Sequence, residues 1–202
     1  SGSFTLTSKN LLSQNPFTQR LSVSGPTAQF FQAKVQLSDQ DEAVWMSMEG
    51  FFAEAGGSAG IIRLADFSRL TPQYNRAFYG VRTGWTDGTF WSDGSGWQDG
   101  RLPSFVTVAE AAPKGATSVV VTGLPVSTAR VLRRGDDVEF RRNGQYDETP
   151  SLHRIIRDAP TDASGRTRIE FRPGLRKGVA LGDMVVLDYP MGNFRLTDDN
   201  QA

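Results

Sequence analysis

The clearest fold signal in this sequence lies in GDDVEF at residues 135–140 and in GDMVVL at residues 182–187. In each stretch, a Gly-Asp pair that favours a tight turn precedes apolar and β-branched residues typical of a strand. We therefore expect two equivalent turns that lead into equivalent strands.

Further strands with turn signals between them surround these two stretches. Residues 118–122 form a β-branched run, residues 153–156 read as another strand, and residues 162–165 (DASG) read as a hairpin turn before a strand at 167–171. Short strands at intervals of roughly a dozen residues are typical of small all-β domains. The sequence therefore predicts an antiparallel β-barrel or sandwich over residues 103–202.

The amino-terminal part, residues 1–80, is predicted to hold short strands and one helix. Apolar and polar residues alternate at Phe4 and Leu6, at Leu21 and Val23, and again over residues 31–37. This period of two is typical of half-buried strands. The pattern predicts a β-sandwich-like domain, so that the whole chain is mainly β with one amphipathic helix (α+β).

The helix is predicted over residues 39–55. Ser38 is placed to cap its start, acidic residues follow in the first turn, and Gly56 ends it. Its apolar side chains fall on one stripe, with Trp45 beside it, and such a stripe predicts a helix packed against a sheet. The residues of the stripe are Val44, Met48, Phe51, Phe52 and Ala55.

A short repeat occupies the segment between the two predicted domains, residues 81–102. Trp85, Trp91 and Trp97 are six positions apart, and each is followed by an Asp-Gly pair two residues later. An even spacing places all three indoles on one face of an extended chain. The indoles are then either buried under a neighbouring element or subunit, or exposed as a platform that stacks on sugars or on a partner protein. The three aspartates of the repeat lack the alternate-residue spacing of a calcium loop.

Composition excludes several classes of function. The chain has 202 residues, 22 basic and 22 acidic side chains, no cysteine and one histidine. Thiol nucleophiles, thiolate zinc sites and histidine metal clusters are therefore excluded, and a net charge of zero argues against nucleic acid as a partner. No segment is apolar for long enough to predict a membrane span. The single histidine, His153, is predicted to be structural, so we expect no catalytic residue, metal or cofactor.

Basic residues are interleaved with acidic ones over residues 130–177, a pattern that suits subunit interfaces. Arginine is the cation favoured at ion-paired, partly desolvated contacts. The candidates for a polar interface are Arg133, Arg134, Arg141 and Arg142.

The order of these features resembles the distal tail proteins of bacteriophages with long, non-contractile tails. In the first half, the resemblance rests on the strands, on the helix ending in Phe51-Phe52 and on residues 60–66 (GIIRLAD). In the second half, it rests on the loose turn-and-strand motifs GLP at 123–125, RRGD at 133–136, HRI at 153–155, TDASG at 161–165, FRPGLR at 171–176 and YPMGNFRL at 189–196.

The resemblance implies a structural virion protein that catalyses nothing. Such a protein forms a homo-hexameric ring in the tail tip, is assembled in the host cytoplasm, and contacts the tail tube protein on one side and the tail-tip hub and other baseplate proteins on the other. Two alternatives remain: a carbohydrate-binding module of a phage tip that uses the tryptophan repeat, and a cell-wall hydrolase with His153 as its base.

Overall fold

The computed structural model describes residues 2–14, 21–35, 41–56, 60–76, 102–142 and 151–195. The chain divides into two compact units. The first consists of Ser1–Phe67 and Met191–Ala202, and the second of Ser68–Pro190. The end of the chain thus belongs to the first unit. The predicted domains, residues 1–80, 81–102 and 103–202, stay a prediction.

The first unit begins with a long hairpin of strands β1 (Gly2–Gln14) and β2 (Leu21–Val35). The strands are antiparallel, with Gly2 opposite Val35 and Gln14 opposite Leu21, and the register shifts around Asn10. The predicted alternation is confirmed at Phe4, which is buried and meets the rings of Phe67 and Phe194 edge-on at 5.8 and 5.7 Å.

The second sheet of this unit joins residues that are distant in sequence. Strand β3 (Ile62–Ala65) pairs antiparallel with β10 (Met191–Phe194), so that Ala65 lies opposite Met191. The second unit is therefore an insertion between two neighbouring strands. Within the described residues, the first unit contains two two-stranded sheets and no sandwich.

The helix α1 (Glu42–Ala55) confirms the predicted end but begins later than expected. Asp41 is the residue before its first turn and makes no side-chain cap, while Gly56 closes it with a left-handed φ of 72°. The predicted cap, Ser38, lies outside the described residues. The expectation that the apolar stripe packs on a sheet is wrong for Val44 and Phe51, whose side chains are 43% and 49% exposed, as Trp45 beside them is at 45%. The other side chains of the stripe lie outside the description.

The second unit is a closed antiparallel barrel with the strand order β4-β5-β8-β7-β6-β9, which confirms the mainly β fold and the predicted barrel. A four-residue helix, α2 (Gln73–Arg76), comes before the first strand of the barrel in this unit. Alternating apolar side chains from all six strands fill the interior of the barrel. The strands are β4 (Phe105–Val108), β5 (Ser118–Thr122), β6 (Asp137–Arg141), β7 (Ser151–Ile155), β8 (Arg166–Arg172) and β9 (Met184–Val186).

The two Gly-Asp turns are equivalent, as predicted. The amide of Asp136 donates to the carbonyl of Arg133 at 3.0 Å, and its Oδ2 accepts from the amide of Arg133 at 2.7 Å. Asp183 makes the same two hydrogen bonds with Ala180, at 3.2 and 2.8 Å. The glycine before each aspartate has a positive φ, 98° and 85° respectively, which a residue with a Cβ adopts only with strain.

This equivalence extends to the whole barrel as an approximate two-fold symmetry. Strands β4 and β6 correspond to β7 and β9 at an offset of 47 residues (182 − 135), and β5 corresponds to β8 at 50 (171 − 121). At these offsets the ladders coincide: Val106 lies opposite Val185, and its counterpart His153 lies opposite Val138. The ladder between β4 and β5 likewise corresponds to the ladder between β7 and β8. In the β5–β8 ladder and in the β6–β9 ladder, the symmetry exchanges the two strands of the same ladder. Polar residues that break this symmetry are therefore not required by the framework itself.

Candidate functional site

The two halves of the barrel differ in a buried ion pair on β6 and β7. Arg154 donates from Nε and Nη2 to the two carboxylate oxygens of Asp137 at 2.8 and 3.0 Å. The Asp137 side chain is fully buried and that of Arg154 is 16% exposed. The symmetry-related positions hold Met184 and Thr107, which carry no charge.

A second ion pair lies at the end of β6. Arg141 donates from Nε and Nη2 to Glu139 at 2.6 and 2.9 Å, and the Glu139 side chain is fully buried. Bidentate contacts of this kind fix the arginine fork in one orientation. Valine stands at the position related to Glu139, so this pair also belongs to one half of the barrel.

His153 lies in the core between the rings of Phe140 and Phe171, with ring centroids at 5.2 and 4.8 Å. Its Nδ1 donates to the carbonyl of Pro173 at 2.7 Å, which leaves Nε2 to accept from the Ser151 hydroxyl. Burial lowers the pKa of His153 to about 4, against the Pro173 hydrogen bond, which raises it. A histidine with so low a pKa is a weak base at neutral pH, and the position supports the predicted structural role.

His153 predicts a pH-dependent stability of the barrel. Because its pKa falls from 6.5 in the unfolded chain to about 4 in the folded one, the unfolded chain binds more protons between these values. The neutral imidazole makes its full contribution to the free energy of unfolding above pH 6.5. As the pH falls from 6.5 towards 4, the free energy of unfolding decreases by about 3 kcal/mol. The symmetry-related position is Val106, so we test the histidine with His153→Val. We expect the free energy of unfolding of this variant to depend less on pH between 6.5 and 4.

Urea unfolding at a series of pH values measures this effect in the parent and in the variant. The carboxylates common to both chains contribute equally, so the difference between the two slopes reports His153. An identical slope in both proteins would contradict the assignment of a neutral, buried imidazole.

Positive side chains converge on a shallow depression beside this histidine. Arg141 and Arg142 line it from the end of β6, Ser151 from the start of β7, and Arg176 and Lys177 from the segment after β8. Arg142, Arg176 and Lys177 are exposed. Among the described residues that line it, the one acidic side chain is that of Asp183, which is buried and accepts from the amide of Ala180 at 2.8 Å. We call this surface the cationic depression.

The four arginines predicted as a polar interface fall into two groups at opposite ends of β6. Arg141 and Arg142 line the cationic depression, whereas Arg133 and Arg134 belong to the first Gly-Asp turn. The amide of Arg134 donates to Asp158 at 2.8 Å and lowers the pKa of that carboxyl. The sequence therefore identified half of the cations at the depression, and the structure does not bring all four together.

The residues missed by the sequence analysis are Ser151, Arg176 and Lys177. Each is ordinary in its local sequence, and the closure of the barrel brings the segment after β8 beside the end of β6. No local motif signals this juxtaposition.

The tryptophan repeat cannot be placed, because Trp85, Trp91 and Trp97 lie outside the described residues. Their role as a stacking platform or as buried side chains stays a prediction. In the described part of the chain, no group of three acidic or histidine side chains is arranged to hold a metal ion.

Comparisons with known proteins do not identify the chain: no protein-family model matches the sequence, and no curated protein matches it. Among the helices of the described ranges, none has the length and apolar character needed to cross a membrane.

Proposed function

We propose that this chain is a structural protein of a phage virion, a distal tail ring that connects the tail tube to the tail-tip hub and other baseplate proteins. Six copies form the ring, assembly takes place in the host cytoplasm, and the protein catalyses no reaction. The proposal rests on the order of the sequence motifs and on surfaces of the first unit that suit assembly.

The observation that carries the proposal is the exposed apolar face of α1. Val44 and Phe51 lie on one stripe of this helix, Trp45 lies beside it, and each of the three is more than two-fifths exposed. Clusters of large apolar side chains at a surface mark protein contacts, and tryptophan is enriched at their centres. A neighbouring subunit that covers this face would bury it.

The hairpin of the first unit supports the same conclusion. Its strands have 13 and 15 residues, and among the described residues neither pairs with a third strand. Isolated two-stranded hairpins are marginally stable in water, and open strand edges invite pairing with another chain. Assembly of the sheets into the predicted sandwich-like arrangement is part of this proposal.

The charge balance is also suited to assembly. Basic and acidic residues are equal in number, so copies of the chain do not repel one another through net charge. Arg134 is exposed and can make polar contacts at the rim of such an interface.

A pair of substitutions on α1 tests the ring. Trp45→Lys places a charge at the edge of the apolar stripe, and we expect it to abolish ring formation. Trp45 is 45% exposed and its indole donates to Glu49 at 2.9 Å, so a lysine there keeps a partner one helical turn away and the fold is expected to survive. Met46, 64% exposed, points away from the stripe, and Met46→Lys is the matched control.

Size-exclusion chromatography with light scattering measures the outcome, and circular dichroism verifies the fold. We expect the Met46→Lys chain to assemble like the parent and the Trp45→Lys chain to be a folded monomer. Equal assembly of both variants would contradict a subunit contact through this face.

A further inference from the structure

We propose that the cationic depression of the barrel is a docking site for an acidic polypeptide segment, held through two or more carboxylates by Arg142, Arg176 and Lys177. This inference goes beyond the ring proposal, since it concerns the barrel by itself and can be tested on a protein of any oligomeric state.

The first argument is the local charge. Among the described residues that line the depression, Arg142, Arg176 and Lys177 are exposed cations, and the carboxylate of Asp183 is buried. The fourth cation, Arg141, is neutralised by its bidentate contact with the buried Glu139, which fixes its guanidinium in one orientation. The exposed described side chains of this surface that carry charge are therefore basic.

The second argument is the internal symmetry of the barrel. At the offset of 47 residues, Arg141 corresponds to Asp188, and Ser151 corresponds to Ser104. The backbone contacts agree, because the amide of Leu187 donates to Ser104 at 2.8 Å and Phe140 lies opposite Ser151 in the other half. The framework thus carries a carboxylate at one end and a guanidinium at the other. Glu139, the partner of Arg141, corresponds to Val186, so the ion pair as a whole is absent from the other half and the framework does not require it.

The composition of the depression favours a polypeptide over nucleic acid. Val179, which is half-buried, lies among the cations and can contact an apolar residue of a peptide, whereas the other large apolar lining residues, Phe140 and Leu175, are buried in the core. Phosphate-driven binding of a nucleic acid chain needs a longer row of cations than this short cluster supplies. The forked guanidinium groups of arginine match the geometry of carboxylates.

The test measures the binding of a short fluorescein-labelled peptide that alternates glutamate with leucine, by fluorescence anisotropy on the full chain. We expect saturable binding that weakens as salt is added, because exposed charges are screened. The same peptide with glutamine in place of glutamate is expected not to bind.

Charge reversal locates the site. We expect Arg142→Glu and Arg176→Glu each to weaken binding by about fivefold or more, since both are exposed cations that would face the carboxylates. Arg168→Glu is the matched control, because Arg168 is an exposed arginine on β8 that does not line the depression. It should bind the peptide as the parent does.

Three results would overturn the proposal. They are no binding of the glutamate peptide by a folded parent, equal losses in the Arg168→Glu control and the two site variants, and tighter binding of a labelled DNA strand that is lost in the same two variants. Failure of ring formation in the parent would leave this measurement unaffected, so the two proposals fail separately.

Discussion

Arg154→Leu should destabilise the barrel by about 3–5 kcal/mol, because it removes the cation that binds both oxygens of the buried Asp137 carboxylate. The side chain of Asp137 is fully buried, and Arg154 binds both of its oxygens. Urea unfolding followed by circular dichroism at neutral pH measures the loss.

The internal symmetry of the barrel supplies the compensating change. Asp137→Met combined with Arg154→Thr installs the residues that stand at Met184 and Thr107 in the other half. Replacing a whole buried ion pair with neutral residues is often close to neutral in stability. We therefore expect the double variant to recover most of the free energy of unfolding lost in Arg154→Leu.

The exposed pair formed by Arg157 and Glu170 serves as the control. Its atoms are 3.2 Å apart, and the two side chains are 73% and 36% exposed. We expect Arg157→Leu to cost at most about 1 kcal/mol, as is usual for solvated ion pairs. A similar cost for Arg154→Leu and Arg157→Leu, or a double variant as unstable as Arg154→Leu alone, would contradict this account of the barrel.

Gly165→Ala should be the second strongly destabilising change. Gly165 has φ of 71°, and a Cβ at this position would lie 2.3 Å from the carbonyl oxygen of Leu124, too close for any relaxed contact. The backbone must move, although the amide of Leu124 donates to Gly165 at 3.2 Å and holds the two segments together. We expect a loss of about 3 kcal/mol or more, the sum of backbone strain and overpacking.

Gly115→Ala separates the cost of backbone strain from the cost of overpacking. Gly115 has φ of 86°, but a Cβ there would meet no atom within 4 Å. This variant carries the backbone strain alone, which costs about 1–2 kcal/mol. Thermal unfolding of both variants measures the difference, and equal losses would show that Gly165 is not constrained by its contact with Leu124.

The features that the sequence predicted well are those with local causes. The two Gly-Asp turns need glycine for a positive φ and aspartate to accept the amide of the residue three positions earlier, and both requirements are visible in the sequence. The turn at residues 162–165 is likewise local, because Asp162 accepts from the amides of Ser164 and Arg166 and its pKa is lowered by them. In the strands that follow these turns, the apolar residues that the sequence places on the inner face are buried, as predicted.

The features that the sequence could not predict depend on contacts between distant segments. The pairing of β10 with β3 has no local signal, since Met191–Phe194 is a short strand with a glycine inside it. The sequence predicts a start of α1 at residue 39, three residues too early, because acidic residues occur at 39, 41 and 42 and each of these is acceptable near a helix start. The apolar stripe of α1 is exposed at Val44 and Phe51. An amphipathic pattern predicts that one face of a helix packs against another element, but it does not indicate whether that element belongs to the same chain.

The cationic depression has a similar explanation. The sequence predicts Arg141 and Arg142 as contact residues because they are arginines among acidic residues. Arg176 and Lys177 line the same depression because the β7–β8 and β6–β7 ladders bring the segment after β8 beside the end of β6. A periodic pattern reports which face a residue occupies on its own strand. It carries no information about which other segment lies beside that face.

The mass of the purified chain in solution tests the ring most directly. Light scattering after size exclusion, over a range of protein concentrations and with negative-stain images of the main species, distinguishes the two outcomes. The account predicts a species of six chains of 22.1 kDa, about 133 kDa (6 × 22.1), with ring-shaped particles. A monomer of 22.1 kDa at every concentration, with no rings in the images, would contradict it.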